Sequence, residues 1–398
     1  MAREKVLALI LAGGAGGRLE VLTRQRAKPV MPFAGVYRLI DIPLSHCVHS
    51  GISDVWVVEQ YELHSLNEHL SNGRPWDLDR TYGGLQVLPP NQSKHRGEEG
   101  GFAQGNADAI YRQRSLIREL DPDVLLVLSS DHIYKLDYSL LLDRHRELKA
   151  DLTLVSTRVP REQASRFGVV EVDGAGRVTG FEYKPEAPRN DLVTTEVFAY
   201  DARKLLDTLD RLTAEDGEED GSCLKDFGDR LLPRLVAEGR VFDFRLEGYW
   251  KDVGTVDSYW QTHMDLLAPD PPLRLDDPAW PILTTGHQRL PARIEAEARI
   301  AGSLIAPGCQ IAGRVERSVL APGVVVEPGA EVRDSILLHG TVVRAGARVD
   351  RAILDTEVEV GEGASVGEAG GELALVGRRV RIPARDRIAA GARVEPGE

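Results

Sequence analysis

Cysteine is scarce in this chain. Cys47, Cys223 and Cys309 are the three among 398 residues, far apart and without CxxC or His–Cys spacing. This argues against a disulfide framework or a thiolate zinc site and reads as reduced thiols of a cytoplasmic protein. Long apolar runs are missing too: no segment approaches the roughly 18 apolar residues of a membrane span. The opening "VLALILAG", after Arg3 and Lys5, holds about seven or eight apolar residues, short for a secretory leader. It runs into glycines and then basic residues, so it reads as a buried strand. Positive charge is in deficit, with 49 Lys+Arg against 62 Asp+Glu and a formal net charge of -13. Such a field disfavours nucleic acids and anionic membranes as partners; a polyanionic ligand has to be small and met by local cations.

What is present divides the chain. Up to residue 265, "KVLALILAG", "DVWVVE", "DVLLVLSSD" and "DLTLVSTRV" read as strands buried on both faces. Amphipathic stretches such as Ala107–Leu120 and Ser139–Lys149 lie between them. This alternation predicts an α/β layer domain with a mostly parallel sheet, whose ligands sit at the carboxyl ends of strands. Residues 266–290 carry five prolines and neither period, and read as a linker. Beyond it, aliphatics recur six apart, at Ile305/Ile311, Val326/Val332, Val343/Val349 and Val360/Val366, each pair enclosing a glycine. Sixfold spacing with turn glycines predicts a β-helix of about five coils over 291–398, with three short strands per coil.

The first strand ends in "LAGGAGGRLEVLTRQRAKP". The third glycine of a dinucleotide fingerprint is absent, because Leu19 follows Arg18, and there is no Walker loop. A glycine cluster alone is equally a tight strand–helix turn. Arg18, Arg24, Arg26 and Lys28 just beyond it change the reading. Bare backbone amides beside cations suit a nucleoside triphosphate.

With "RAKPVMPFAGVYRLIDIPLSHCVHSGI", "VEQYELHSLNEHL", "GNADAI", "SSDHIYKLDY", "RFGVVEVD", "KDFGDRLLP" and "GYWKDVGTVDSYW" following in order, the chain resembles the bacterial ADP-glucose pyrophosphorylases, or glucose-1-phosphate adenylyltransferases. They belong to the sugar-nucleotide pyrophosphorylases. The resemblance covers almost the whole chain. It implies a Rossmann-like nucleotidyltransferase domain over 1–265 and a left-handed parallel β-helix after the linker.

It further implies magnesium-dependent formation of ADP-glucose and pyrophosphate from ATP and glucose 1-phosphate, for glycogen or another α-glucan. Relatives are tetramers, so a homo-oligomer is implied. By the same resemblance Asp131 and Asp252 are the metal carboxylates, with Asp131 also catalytic alongside Arg18 and Lys28. Gly13, Gly14, Gly16, Gln60 and Gly105 would hold the nucleotide. Gly168, Tyr183, Lys184, Thr194, Glu196, Asp226 and Trp250 would line the sugar-phosphate pocket. Asp131 at a strand end and Asp226 before "FGDRLLPRL" also suit helix caps, and Asn106 suits a cap for the helix after it.

The chain departs from the family at several points. Tyr183 stands where the family commonly has Glu before its lysine, and Thr195 and Glu196 replace Met and Gly. Phe102, Ala103 and Gln104 replace Trp, Tyr and Arg. Gln25 and Ala15 stand where the family often carries Lys and Arg, which weakens the case for sugar-bisphosphate activation. These changes keep open another sugar or cyclitol phosphate, another nucleotide, or a non-catalytic regulatory subunit. A β-helix acyltransferase is disfavoured, since His339 is the one histidine after residue 287.

Overall fold

The computed structural model describes residues 4–14, 16–90, 103–216, 224–286 and 289–397. Phe102 and Cys223 lie outside these residues. The chain forms two compact units that interleave along the sequence. One comprises residues 1–14 and 42–250, the other 15–41 and 251–398.

The first unit is built on a nine-stranded sheet. Its strands are β1 (Val6–Ala12), β2 (Asp54–Glu59), β3 (Gly84–Leu88), β4 (Val124–Ser129), β5 (Leu152–Arg158), β6 (Gly168–Val172), β7 (Val178–Tyr183), β8 (Leu192–Asp201) and β9 (Val241–Arg245). The main order is β7-β6-β8-β4-β1-β2-β3, with β5 on β8 and β9 on β5. All four strands read from the sequence form. Leu7, Leu9 and Ile10 of β1 are fully buried, as are Leu125 to Leu128 of β4. Each such side chain contributes about 1.5–3 kcal/mol by leaving water.

The sheet is mixed, with a parallel and an antiparallel part. Strands β3, β2, β1 and β4 run parallel, whereas β8 is antiparallel to β4, β5 and β6. The helix expected over 107–120 is two, Asn106–Arg112 and Arg114–Leu120, broken at buried Gln113. The other runs Tyr138–Leu148; Asp137 caps it by accepting from the Ser139 amide, and Lys149 ends it in the left-handed region.

In the second unit, three six-stranded parallel sheets make the β-helix, six coils in all. That is one more than the hexad pairs indicate, because the turn at Gly367–Gly371 interrupts the repeat before Ala374 pairs with Ala352. Ile311, Val326, Val343, Val360 and Ile382 stack on successive coils as one buried ladder. The enclosed glycines, Gly308, Gly329, Gly346 and Gly363, all have φ between 66° and 80°. Left-handed backbone is why the repeat needs glycine there.

Helix Val256–Asp265, capped by Thr255 with Ser258, ties this unit's two segments together. Tyr259 Oη donates to the Pro32 carbonyl, and Trp260 Nε1 donates to the Asp334 carbonyl at 2.8 Å. His263 Nδ1 donates to the Tyr259 carbonyl at 2.8 Å, so Nε2 accepts from the Ala34 amide at 3.1 Å.

Burial lowers the His263 pKa from 6.5 to about 4. The folded state therefore binds fewer protons than the unfolded chain between these values. His263 contributes stability that is present above pH 6.5 and lost as pH falls toward 4. Thermal midpoints measured from pH 7.5 to 4.5 should decline from near pH 6.5 downward; a flat profile across that window contradicts this.

Candidate active site

Strand register aligns three of the expected residues. Leu11 of β1 pairs with Ser129 of β4, and Ala12 pairs with Glu59 of β2. Gly13, Gln60 and Asp131 therefore leave the carboxyl ends of adjacent parallel strands at one level, the edge where open α/β sheets bind ligands. Gln60 is buried, and a methyl group on Gly13 would lie 3.0 Å from its amide group. Only a glycine leaves that approach open. Glu59, also buried, accepts from Asn67 Nδ2 at 3.0 and 3.1 Å; burial raises its pKa, which that hydrogen bond partly offsets.

Asp131 is half-buried and its Oδ1 accepts from Ser129 Oγ. It caps no helix: the next element is the short strand His132–Tyr134. His132 Nδ1 sits 2.9 Å from the Thr195 carbonyl, the role of an N–H donor, while Nε2 lies 3.7 Å from Asp131 Oδ1. The His132 ring packs edge-on against Trp250 at 5.2 Å, and Trp250 against Phe167 at 5.2 Å. Asp252 follows Trp250 by two residues in the strand Trp250–Asp252. Asp131 and His132 in the first unit and Asp252 in the second carry donor types, two carboxylates and an imidazole, that ligate metal ions. Sequence reasoning missed His132; its adjacency to Asp131 was the available signal. Two carboxylates supply the hard oxygen donors that Mg2+ prefers, so the donor set fits. The Thr195 carbonyl orients the imidazole by accepting from Nδ1, which leaves Nε2 as the ring nitrogen on the Asp131 side.

The residues expected around the sugar form a bonded cluster. Tyr183 Oη donates to Asp226 Oδ2 at 2.9 Å and accepts from Lys184 Nζ at 2.7 Å. Burial chiefly, then the Asp226 charge, pushes the Tyr183 phenol pKa up, and Glu196 adds to the effect. Tyr183 is thus a neutral donor at the position where the chain departs from the family's usual Glu. Asp226 is also the helix cap that the sequence allowed, sharing a capping box with Asp229. Asn106 caps nothing: it is the first helical residue, and the amides of Ala107 and Asp108 bond the Lys225 carbonyl instead. Gly105 makes that docking possible, since a Cβ would fall 2.3 Å from the Lys225 carbonyl carbon.

Gly168 packs under Phe181 and Thr194, with no room for a side chain. Pairing in β8 breaks between Thr194 and Phe198, and Glu196 sits in this bulge at φ 56°, a backbone state glycine would hold without strain. The buried Trp250 indole N–H finds no acceptor among the described residues.

In the second unit, Arg18 is exposed on the turn Gly17–Thr23, and Lys28 is buried. Gly16, at φ 69°, precedes that turn, and Thr23 Oγ1 donates to its carbonyl. Arg24 and Arg26, expected to help neutralise phosphates, are paired elsewhere. Arg24 meets Glu395 at 3.0 Å and Arg26 meets buried Asp355.

A Cβ on Gly254 would lie 3.0 Å from both Asp252 carboxylate oxygens and 3.2 Å from Arg18 Nη2. Gly254 thus keeps the Asp252 carboxylate and Arg18 guanidinium in place together. Gly254→Ala should lower turnover by about 10- to 100-fold with little change in thermal midpoint, because small misplacements of charged groups are costly in the transition state. Parent-like kinetics would refute this.

The nucleotidyl transferase family model matches residues 7–268, and the GlmU-like C-terminal hexapeptide model matches 290–372. The chain is 41% identical over 336 residues to the glucose-1-phosphate adenylyltransferase of Clostridium beijerinckii, covering 84% of this chain and 85% of that protein. It is 42% identical over 330 residues to that of Thermotoga neapolitana, covering 82% and 76%. With Clostridium acetobutylicum the figures are 41% over 327 residues, 82% and 84%. Identity at this level, across both the catalytic fold and the β-helix, means that the chain belongs to the glucose-1-phosphate adenylyltransferase family of nucleotidyl transferases.

Proposed function

We propose that this chain transfers the adenylyl group of ATP to glucose 1-phosphate, releasing pyrophosphate, in the cytoplasm and as a homotetramer. The observation that carries the reading is the common level of Gly13, Gln60 and Asp131 at three parallel strand ends. The domains are then nucleotidyltransferase over 1–265, linker over 266–290 and β-helix over 291–398.

A sugar-phosphate oxygen attacks the α-phosphorus of ATP, the bond from that phosphorus to the β-phosphate oxygen breaks, and pyrophosphate leaves. Gly13, Gly14 and Gly16 give the triphosphate close backbone approach. Gln60 hydrogen-bonds the base edge, and Gly105 packs beside the base. Arg18 balances charge on the departing pyrophosphate, and Lys28 lies by the reacting phosphates. Lys184 holds the sugar phosphate, steadied by Tyr183. Gly168, Thr194, Asp226 and Trp250 shape the sugar pocket, where the unpartnered indole N–H suits a hydroxyl acceptor. Asp131 and Asp252 would hold Mg2+, with His132 beside Asp131. When bound, the ion neutralises phosphate charge and aligns the reacting oxygens.

Purified protein with ATP, glucose 1-phosphate and Mg2+ should yield ADP-glucose by mass spectrometry. Chelation should stop turnover, and Asp131→Asn should reduce it by about a hundredfold or more. No ADP-glucose, with product from another nucleotide or sugar phosphate, would reassign the substrates; no product from any pair would sink the reading.

Glu196 supplies the carboxylate that Tyr183 lacks, accepting from sugar hydroxyls. Glu196→Gln should raise KM for the sugar phosphate several-fold, about the worth of one charged hydrogen bond, and leave KM for ATP unchanged. Unaltered sugar-phosphate kinetics would remove Glu196 from the pocket.

A further inference from the structure

The turn that carries Arg18 holds a backbone strain with a visible restraint. Glu20 has φ 52° and ψ -126°, outside helical space and inside a turn that is otherwise helical. A non-glycine residue persists there only when its surroundings over-determine it. Two groups do so. Thr23 Oγ1, whose proton goes chiefly to the Gly16 carbonyl, lies 3.3 Å from the Glu20 carbonyl as a second, longer acceptor, and Arg393 Nε donates to Glu20 Oε2 at 2.5 Å. Arg393 belongs to the last coil of the β-helix, in the strand Arg393–Val394. Its guanidinium is itself fixed, with Nη1 donating to the Leu373 carbonyl at 2.6 Å and the Gly391 carbonyl at 3.0 Å. Two residues further along the same coil, Glu395 accepts from Arg24 at 3.0 Å.

We propose that Arg393 is a positioning residue for the nucleotide. By holding Glu20 in its strained state, the terminal coil sets the direction in which Arg18, two residues earlier, presents its guanidinium. The Arg24–Glu395 pair anchors the other end of the turn. The β-helix then contributes to the reaction through its last coil, without touching substrate. This rests on the proposed role of Arg18 as the triphosphate ligand.

Arg393→Gln and Glu20→Gln should each raise KM for ATP about three- to fivefold, the scale of a partly exposed ion pair. The KM for sugar phosphate should hold, and kcat should stay within about twofold. Arg393→Lys should lie between parent and Arg393→Gln. The exchange Glu20→Arg with Arg393→Glu should recover part of the loss in KM for ATP, with KM for sugar phosphate still unmoved, the split that a purely structural role would not produce. Unchanged KM for ATP in both single variants overturns the proposal. So does a parallel change in both KM values with a fall in thermal midpoint.

Should the parent show no turnover, the proposed function fails by itself. A fluorescent ATP-analogue titration on the same variants then reads the clamp directly: weakened binding upholds it, and equal or absent binding overturns it.

Discussion

The parallel register of β2, β1 and β4 is the constraint on which the rest depends. Parallel strands bonded in register must end together, and here the Ala12–Glu59 and Leu11–Ser129 pairings bring a bare glycine, a buried amide and a carboxylate to one edge. Gln60 packs against the open Cα of Gly13, Asn67 holds Glu59 just before it, and Ser129 holds Asp131. Nothing in this arrangement needs a loop to find its place. The strands are buried along their length, so their ends cannot slip without exposing core residues to water.

Chemistry that transfers a phosphoryl-linked group asks for position and charge rather than a protein nucleophile. Arg18 and Lys28 lie in the second unit's segment 16–41, and Asp252, beside Gly254, lies in its segment 251–286. Both segments are bonded to the β-helix, through Arg26–Asp355, Trp260–Asp334 and Glu20–Arg393. A repeat domain of fully bonded coils is a rigid base for such side chains. Half of the basic residues behind the glycine loop serve this anchoring and are not left to the phosphates.

Much of this was legible in the residues. Strand positions followed from both-face burial, and the β-helix from sixfold aliphatic spacing around glycines that do adopt left-handed backbone. Asp226 as a helix cap was open to reading from its place before "FGDRLLPRL". Other features were not, because they depend on distant partners. The roles of Arg24 and Arg26 are decided by Glu395 and Asp355, more than 300 positions away in sequence. The break at Gln113 interrupts no hydrophobic period. The orientation of His132 is decided by the Thr195 carbonyl and the Trp250 ring, both distant in sequence. The sixth coil hid behind the Gly367–Gly371 turn.

The most direct test of the central claim is a crystal structure with Mn2+ and α,β-methylene ATP. Anomalous density for one cation touching both Asp131 and Asp252, with the triphosphate over Gly13–Gly16 and the base at Gln60, is what this account predicts. A nucleotide seated away from those strand ends, or a cation bound by neither carboxylate, would contradict it.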